Sequence, residues 1–176
     1  MKEIIIHVDK NDNEIGFIEK LDAHINGILH RAISVFIFND NKELLLQKRF
    51  SGKYHSPSLW TNTCCTHPNR GEETKDAANR RLKEEMGFST EINEVFSFTY
   101  YVKFDNELIE HEFDHVFFGK YNGPINFNTS EVEDYKWISL QELKEDIKLY
   151  PQRYTFWFLY IMNNHINEIE NALNRI

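Results

Sequence analysis

Cysteine is nearly absent: the 176 residues contain 2, and they are neighbours, Cys64 and Cys65. They are a poor disulfide pair, because consecutive Cα atoms lie about 3.8 Å apart, short of the roughly 4.4–6.8 Å a bridge spans. Free thiols exclude the disulfide-stapled secreted class and lead us to expect a cytoplasmic protein. The N-terminal Ile4-Ile5-Ile6 run is too short for a secretory leader. Nowhere do about 18 consecutive apolar residues occur, so no membrane partner is expected. Bases are in deficit, 20 against 28 acids, for a net charge of −8. That balance argues against a general nucleic-acid surface, while leaving room for an anionic small molecule gripped by a few Lys and Arg. Repeats and low-complexity tracts are also missing. Composition does not separate a monomer from a homodimer.

What is present is a core. Hydrophobic residues make up 41% and aromatics 14% of the chain, enough for one globular domain over residues 1–176. Ile4–Val8 and Glu14–Glu19 flank a polar turn and read as a hairpin. His24 and His30 follow, joined by a loop or turn through Asn26-Gly27. Ala32–Phe38 and Leu44–Arg49 read as buried strands. Lys75–Met86 reads as a helix stopped by Gly87, with Arg80–Glu84 and Arg81–Glu85 at salt-bridge spacing. Phe96–Val102, Leu108–Phe118 and Glu133–Ile138 are further strands, and Ser139 caps a helix. Tyr150–Ile176 begins with an aromatic stripe and ends as an amphipathic surface helix.

Residues with chemistry gather around Trp60–Pro68. In an extended segment side chains alternate, so Cys65 and His67 share one face and Cys64 takes the other. A free cysteine is most often a small buried hydrophobe, and loop histidines are more often solvated than metal-bound. On the strand after Leu108, period two places Glu110, Glu112 and Asp114 on one face. Stacked like charges entering a core call for a counter-charge, and a bound cation is one remedy. Arg49 and Lys53 leave a strand just before the cysteines, where they could bind an anion.

Thr66–Phe88 resembles the Nudix box, G-x5-E-x7-R-E-U-x-E-E-x-G-U with U apolar. Glu72, Arg80, Leu82, Glu84, Glu85, Gly87 and Phe88 match it. Thr66 replaces the Gly, and Arg81 replaces the first Glu of the Arg-Glu pair, a metal-binding carboxylate of Nudix pyrophosphohydrolases. Together with Cys65-Thr66-His67-Pro68, Glu110-His111-Glu112, Leu29-His30-Arg31 and Tyr154–Trp157, this altered box resembles the type 1 isopentenyl-diphosphate isomerase family.

That resemblance implies an α/β fold, the Nudix α/β/α sandwich, with a mixed sheet between helices and additions at both termini. It implies interconversion of isopentenyl and dimethylallyl diphosphate in isoprenoid biosynthesis. One divalent ion (Mn2+, Zn2+ or Mg2+) would sit on His24, His30, His67, Glu110 and Glu112. A substrate-bound Mg2+ would use Glu85 and the Cys65 carbonyl. Lys20, Arg49, Lys53 and Arg81 would grip the diphosphate. Glu112, with Tyr100 beside it, would donate the proton to the alkene, Cys65 would accept one, and Trp157 would face the cation. Two rivals are a Nudix pyrophosphohydrolase of a nucleoside diphosphate derivative and a non-enzymatic Cys/His metal-sensing module.

Overall fold

The computed structural model describes residues 3–53, 55–104 and 107–175. The expected hairpin is present, β1 (Ile4–Val8) pairing antiparallel with β2 (Glu14–Glu19). Everything else is arranged on β3 (His30–Phe38), buried along almost its whole length. Its run Ala32-Ile33-Ser34-Val35-Phe36-Ile37-Phe38 offers apolar side chains to both faces, as a strand covered on both sides requires. β3 pairs with β1, with β4 (Glu43–Arg49), with the short β6 (Cys64–Thr66), and in parallel with β8 (Ile109–Lys120). The remaining strands extend this mixed sheet. β7 (Ile92–Lys103) lies against β8, while β5 (Trp60–Thr61) and β9 (Val132–Ser139) flank β4.

Helices cover both faces. Helix α2 (Thr74–Met86) buries Ala77, Ala78, Leu82 and Met86 against Ile33, Val35, Ile37 and Cys64. Gly87 ends it in the left-handed region at φ 77°. A Cβ there would stand 2.1 Å from the Asn126 carbonyl oxygen, so both conformation and space demand glycine. The opposite face carries α3 (Leu140–Leu149), α4 (Phe156–Asn164) and α5 (Ile166–Leu173), packed through Trp157, Phe158 and Ile161 onto Phe36, Phe38 and Phe118. Ser139 closes a capping box with Glu142 at the start of α3.

One expectation needs correction. The link between His24 and His30 is not a plain loop: residues Lys20–Asn26 form a helix, α1, ended by Gly27 at φ 64°. Its polarity is inverted, with His24 buried and Leu21 and Ile25 exposed, which hides the helical stripe from an apolar-periodicity reading. The C-terminal stretch holds the aromatic α4 and then the tail helix α5. A 3-10 turn (Pro151–Arg153) precedes α4, and α4 ends at His165, whose ring packs 4.6 Å from Phe98 and 5.2 Å from Phe96. Ile176, the last residue of the expected tail helix, lies outside the described residues.

Candidate active site

Strand register assembles the site. In the β3–β8 ladder His30 stands opposite Glu112, and in the β7–β8 ladder Tyr100 stands opposite Glu112. His30, Glu112 and Tyr100 thus form a row across three strands, with neighbouring strands about 4.8 Å apart. β6 adds Cys65 opposite Ser34, and His67 follows just beyond its end. Helix α1 brings His24 over the row. The three imidazoles have ring centroids 5.1 Å (His24–His30), 5.0 Å (His30–His67) and 5.9 Å (His24–His67) apart.

One ligand atom from each of His24, His30, His67 and Glu112 lies within 4.8 Å of the others. His30 Nδ1 is 2.7 Å from the Ile28 carbonyl oxygen. A carbonyl only accepts, so Nδ1–H donates there and Nε2 is the atom turned toward Glu112, 3.6 Å from Oε1. His24 Nε2, His30 Nε2 and His67 Nδ1 are buried with no hydrogen-bond partner. Burial drives the His24 pKa down to about 3, helped by the charges of His67 and His30, and burial likewise lowers His67. Three gathered imidazoles, each with a buried nitrogen that lacks a hydrogen-bond partner, beside a carboxylate fit a divalent cation. Burial alone would raise Glu112, but His30 and His67 hold it well below the usual carboxylate range.

Glu110, also expected as a ligand, lies outside that group of four. It sits two residues along the same strand face and meets Tyr100 instead. The Tyr100 hydroxyl oxygen is 2.8 Å from Glu110 Oε2 and 2.6 Å from Glu112 Oε2. One O–H cannot donate to both carboxylates at once, so a further proton or a cation must offset the charge the three groups share. Burial, with the Glu112 charge adding to it, pushes Glu110 up to about 8. Tyr100 is buried behind the wall and reaches the cavity through these two carboxyls.

That cavity, of about 560 Å³, is lined by Cys65, His67, Glu110, Glu112 and Trp157, and also by Lys20, Arg49, Lys53, Arg81 and Glu85. The alternation at the cysteines holds: Cys64 is wholly buried under α2, and Cys65 faces the cavity. Trp157 Nε1 donates to Cys65 Sγ at 3.1 Å and to Thr61 Oγ1 at 3.0 Å, and the thiol donates to Asn62 Oδ1 at 3.2 Å. Burial, and then the Asp114 carboxyl, push the Cys65 thiol up to about 12. One face of the Trp157 ring already has a cation, the Arg49 guanidinium at 5.2 Å.

Lys53 and Arg81 meet at Glu131, whereas Lys20, at the start of α1, stands near His24 and His67. Arg81 reaches Glu85 Oε1 at 2.5 Å, and Gln47 Nε2 donates to Glu85 Oε2 at 2.7 Å. Burial raises Glu85, with Arg81 and Gln47 opposing that rise. Lys20 pairs with Glu3 at 3.1 Å at the rim. Arg80 of the box also lines the cavity, but its fork is occupied, clamping Glu72 at 2.7 and 2.9 Å. Sequence reasoning missed His55 and Glu131, which line the cavity, and Gln47, which supports Glu85 from behind it. Only Gln47 had a signal, as a polar residue ending an apolar strand run.

The NUDIX domain family matches residues 28–158. An isopentenyl-diphosphate Delta-isomerase 2 of Aromatoleum aromaticum is 50% identical to this chain, over 95% of the chain and 88% of the relative. An isopentenyl-diphosphate Delta-isomerase of Serratia proteamaculans is 47% identical, covering 97% and 96%. Among solved structures, a MutT NUDIX hydrolase from Burkholderia pseudomallei superposes with a TM-score of 0.61 at 18% identity, covering 78% of this chain and 98% of that one, a likeness of fold. About half of all residues shared along nearly the full length of both partners, on a NUDIX fold, leaves one assignment: this chain belongs to the isopentenyl-diphosphate Delta-isomerase family.

Proposed function

We propose that the chain interconverts isopentenyl diphosphate and dimethylallyl diphosphate. The observation that carries this reading is a single cavity holding a shielded thiol, Cys65, and a carboxyl pair, Glu110–Glu112, bridged by the Tyr100 hydroxyl. Its other wall is lined with cations. An alkene is a feeble base, so its terminal carbon gains a proton only from a well-placed acid. The neighbouring carbon is then a tertiary cation, which must be kept from water until a proton leaves the carbon nearer the diphosphate. One proton enters and one departs, so the substrate's composition is unchanged.

Lys20, Arg49, Lys53 and Arg81 are assigned to the diphosphate, whose negative charge suits theirs. The Trp157 ring is assigned to shielding the cation, a contact worth about 2 kcal/mol when desolvated. In this order Cys65 starts as a thiolate, its proton held in the Glu110–Tyr100–Glu112 group, which passes it to the alkene through Glu112 while the thiolate takes one up on the other side. A Mn2+, Zn2+ or Mg2+ on His24, His30, His67 and Glu112, with Glu110 as a further ligand, would supply fixed positive charge to orient these carboxyls, and a Mg2+ at Glu85 would neutralise the diphosphate. The imidazole-rich first site suits Zn2+ or Mn2+ better than Mg2+.

A second order of proton transfer is favoured by the resting charges. Cys65 is a neutral thiol and Glu112 a carboxylate, so the thiol could donate and Glu112 accept. Exchange in D2O separates the two. The variant that keeps its donor but lacks its acceptor exchanges the terminal vinylic hydrogens without isomerising. Exchange by Cys65→Ala supports Glu112 as donor, and exchange by Glu112→Gln supports Cys65. The activity itself is tested by proton NMR of isopentenyl diphosphate incubated with the protein and Mg2+. Growth of the two dimethylallyl methyl signals is expected. An untouched alkene, with phosphate released from nucleoside diphosphate derivatives instead, would replace this reading with the hydrolase one. In the isomerase reading, Arg81 at the position of a hydrolase metal-binding Glu turns a cleaving site into a gripping one.

A further inference from the structure

Glu131 reaches the basic end of the cavity from a turn that none of the sequence motifs covers. Its backbone N–H donates to the Asn128 carbonyl at 2.9 Å, and Ser130 N–H donates to Asn128 Oδ1 at 3.0 Å. The turn is pinned on both sides: Asn128 N–H donates to the Glu85 carbonyl at 2.8 Å, and Phe50 N–H to the Glu131 carbonyl at 3.1 Å. Glu131 is thereby hung between helix α2 and the loop that carries Lys53. A single oxygen, Oε2, accepts from Arg81 Nη2 at 2.5 Å and also from Lys53 Nζ.

The two cations that share this oxygen are two of the four assigned to the diphosphate. Without Glu131, Arg81 would keep Glu84 and Glu85, but Lys53 would lose its ion pair in a partly desolvated wall. A diphosphate brings the same sign of charge as Glu131, and more of it. It also offers each cation an oxygen of its own, where the carboxylate makes them share one. Carboxylate and diphosphate cannot both keep these partners. The Glu131 side chain retains 28% of its exposure, so it has a route outward to the rim. We propose that Glu131 is a built-in stand-in for the substrate's diphosphate, holding Lys53 and Arg81 in place in the free protein and giving them up when a diphosphate arrives. The inference rests on the diphosphate reading above. It adds a selectivity filter, since a weakly charged anion gains too little to displace an anion already tethered there.

The test is calorimetric titration of the metal-loaded protein with inorganic diphosphate, at constant Mg2+, for wild type, Glu131→Gln and Lys53→Ala. Glu131→Gln keeps the shape and removes the competitor. It is expected to bind diphosphate about 5–10-fold tighter, the weight of one partly exposed ion pair. The same variant is expected to melt at a lower temperature without ligand, because Lys53 loses its counter-charge and Arg81 one of three. Lys53→Ala is expected to bind more weakly than wild type. A Glu131 that merely braces the fold would lower stability and affinity together. That outcome, or unchanged affinity, overturns the proposal, and Glu131→Ala gives the same comparison if the Gln variant does not fold. A folded wild type that binds no diphosphate at all would remove the diphosphate reading itself, a result distinct from a wild type that binds and a variant that gains nothing.

Discussion

Two thiols one residue apart have opposite surroundings, and the pleat of a three-residue strand is the whole cause. Cys64 points under α2 into apolar packing, while Cys65 receives the Trp157 N–H and lines the cavity. Cys65→Ala is expected to lower turnover by about 10²–10⁴-fold, the usual weight of a positioned acid or base. Cys64→Ala is expected to keep turnover near wild type while losing on the order of 1 kcal/mol of stability through the small cavity it opens. Turnover and melting temperature on both variants check this. Activity lost in Cys64→Ala and kept in Cys65→Ala would put the reactive thiol on the wrong residue. At this scale the sequence was legible wherever period two applied, at Cys64/Cys65 and at Glu110/Glu112. It was illegible at His55 and Glu131, loop residues whose neighbours come from distant parts of the chain.

At the scale of elements, the strands and α2 were readable because their apolar pattern and their burial agree. Helix α1 was not, because the face it buries carries His24 and the face it exposes carries Leu21 and Ile25. A residue needed by the site took the place of one needed by the core. The aromatic and amphipathic parts of the tail were readable as separate stretches, but their boundary at His165, whose ring packs on Phe96 and Phe98, has a tertiary cause that no local pattern carries. Gly87 shows the opposite case, a local signal whose cause is visible in the fold. Gly87→Ala adds a Cβ at a positive φ and 2.1 Å from a carbonyl oxygen, so a loss of more than about 1 kcal/mol is expected. A denaturant midpoint equal to wild type would mean that the Asn126 segment yields freely.

For the molecule as a whole, one sheet carries the site and two helical layers dry it. β3 supplies His30 to the cavity's imidazole cluster and apolar side chains to both cores. The unpartnered nitrogens of His24, His30 and His67 make that cluster unfavourable when empty and favourable around a cation, so metal and fold are linked. Stripping the protein with a chelator is expected to abolish turnover and lower the melting temperature. Adding back Mn2+ or Zn2+ is expected to restore the melting temperature in wild type but not in His67→Ala. Full activity in protein shown to be metal-free by elemental analysis would remove the ligand assignment.

The central claim is that two protein groups in one cavity handle two different protons of the same substrate. The wild-type protein turning over isopentenyl diphosphate in D2O tests it, with ²H NMR locating the label in the dimethylallyl product. Deuterium is expected on the methyl carbon that was the alkene terminus, because both the Cys65 thiol and the Glu110–Tyr100–Glu112 chain exchange with solvent. Product formed without solvent deuterium would mean a hydrogen shifted within the substrate, and the two-group account would be contradicted.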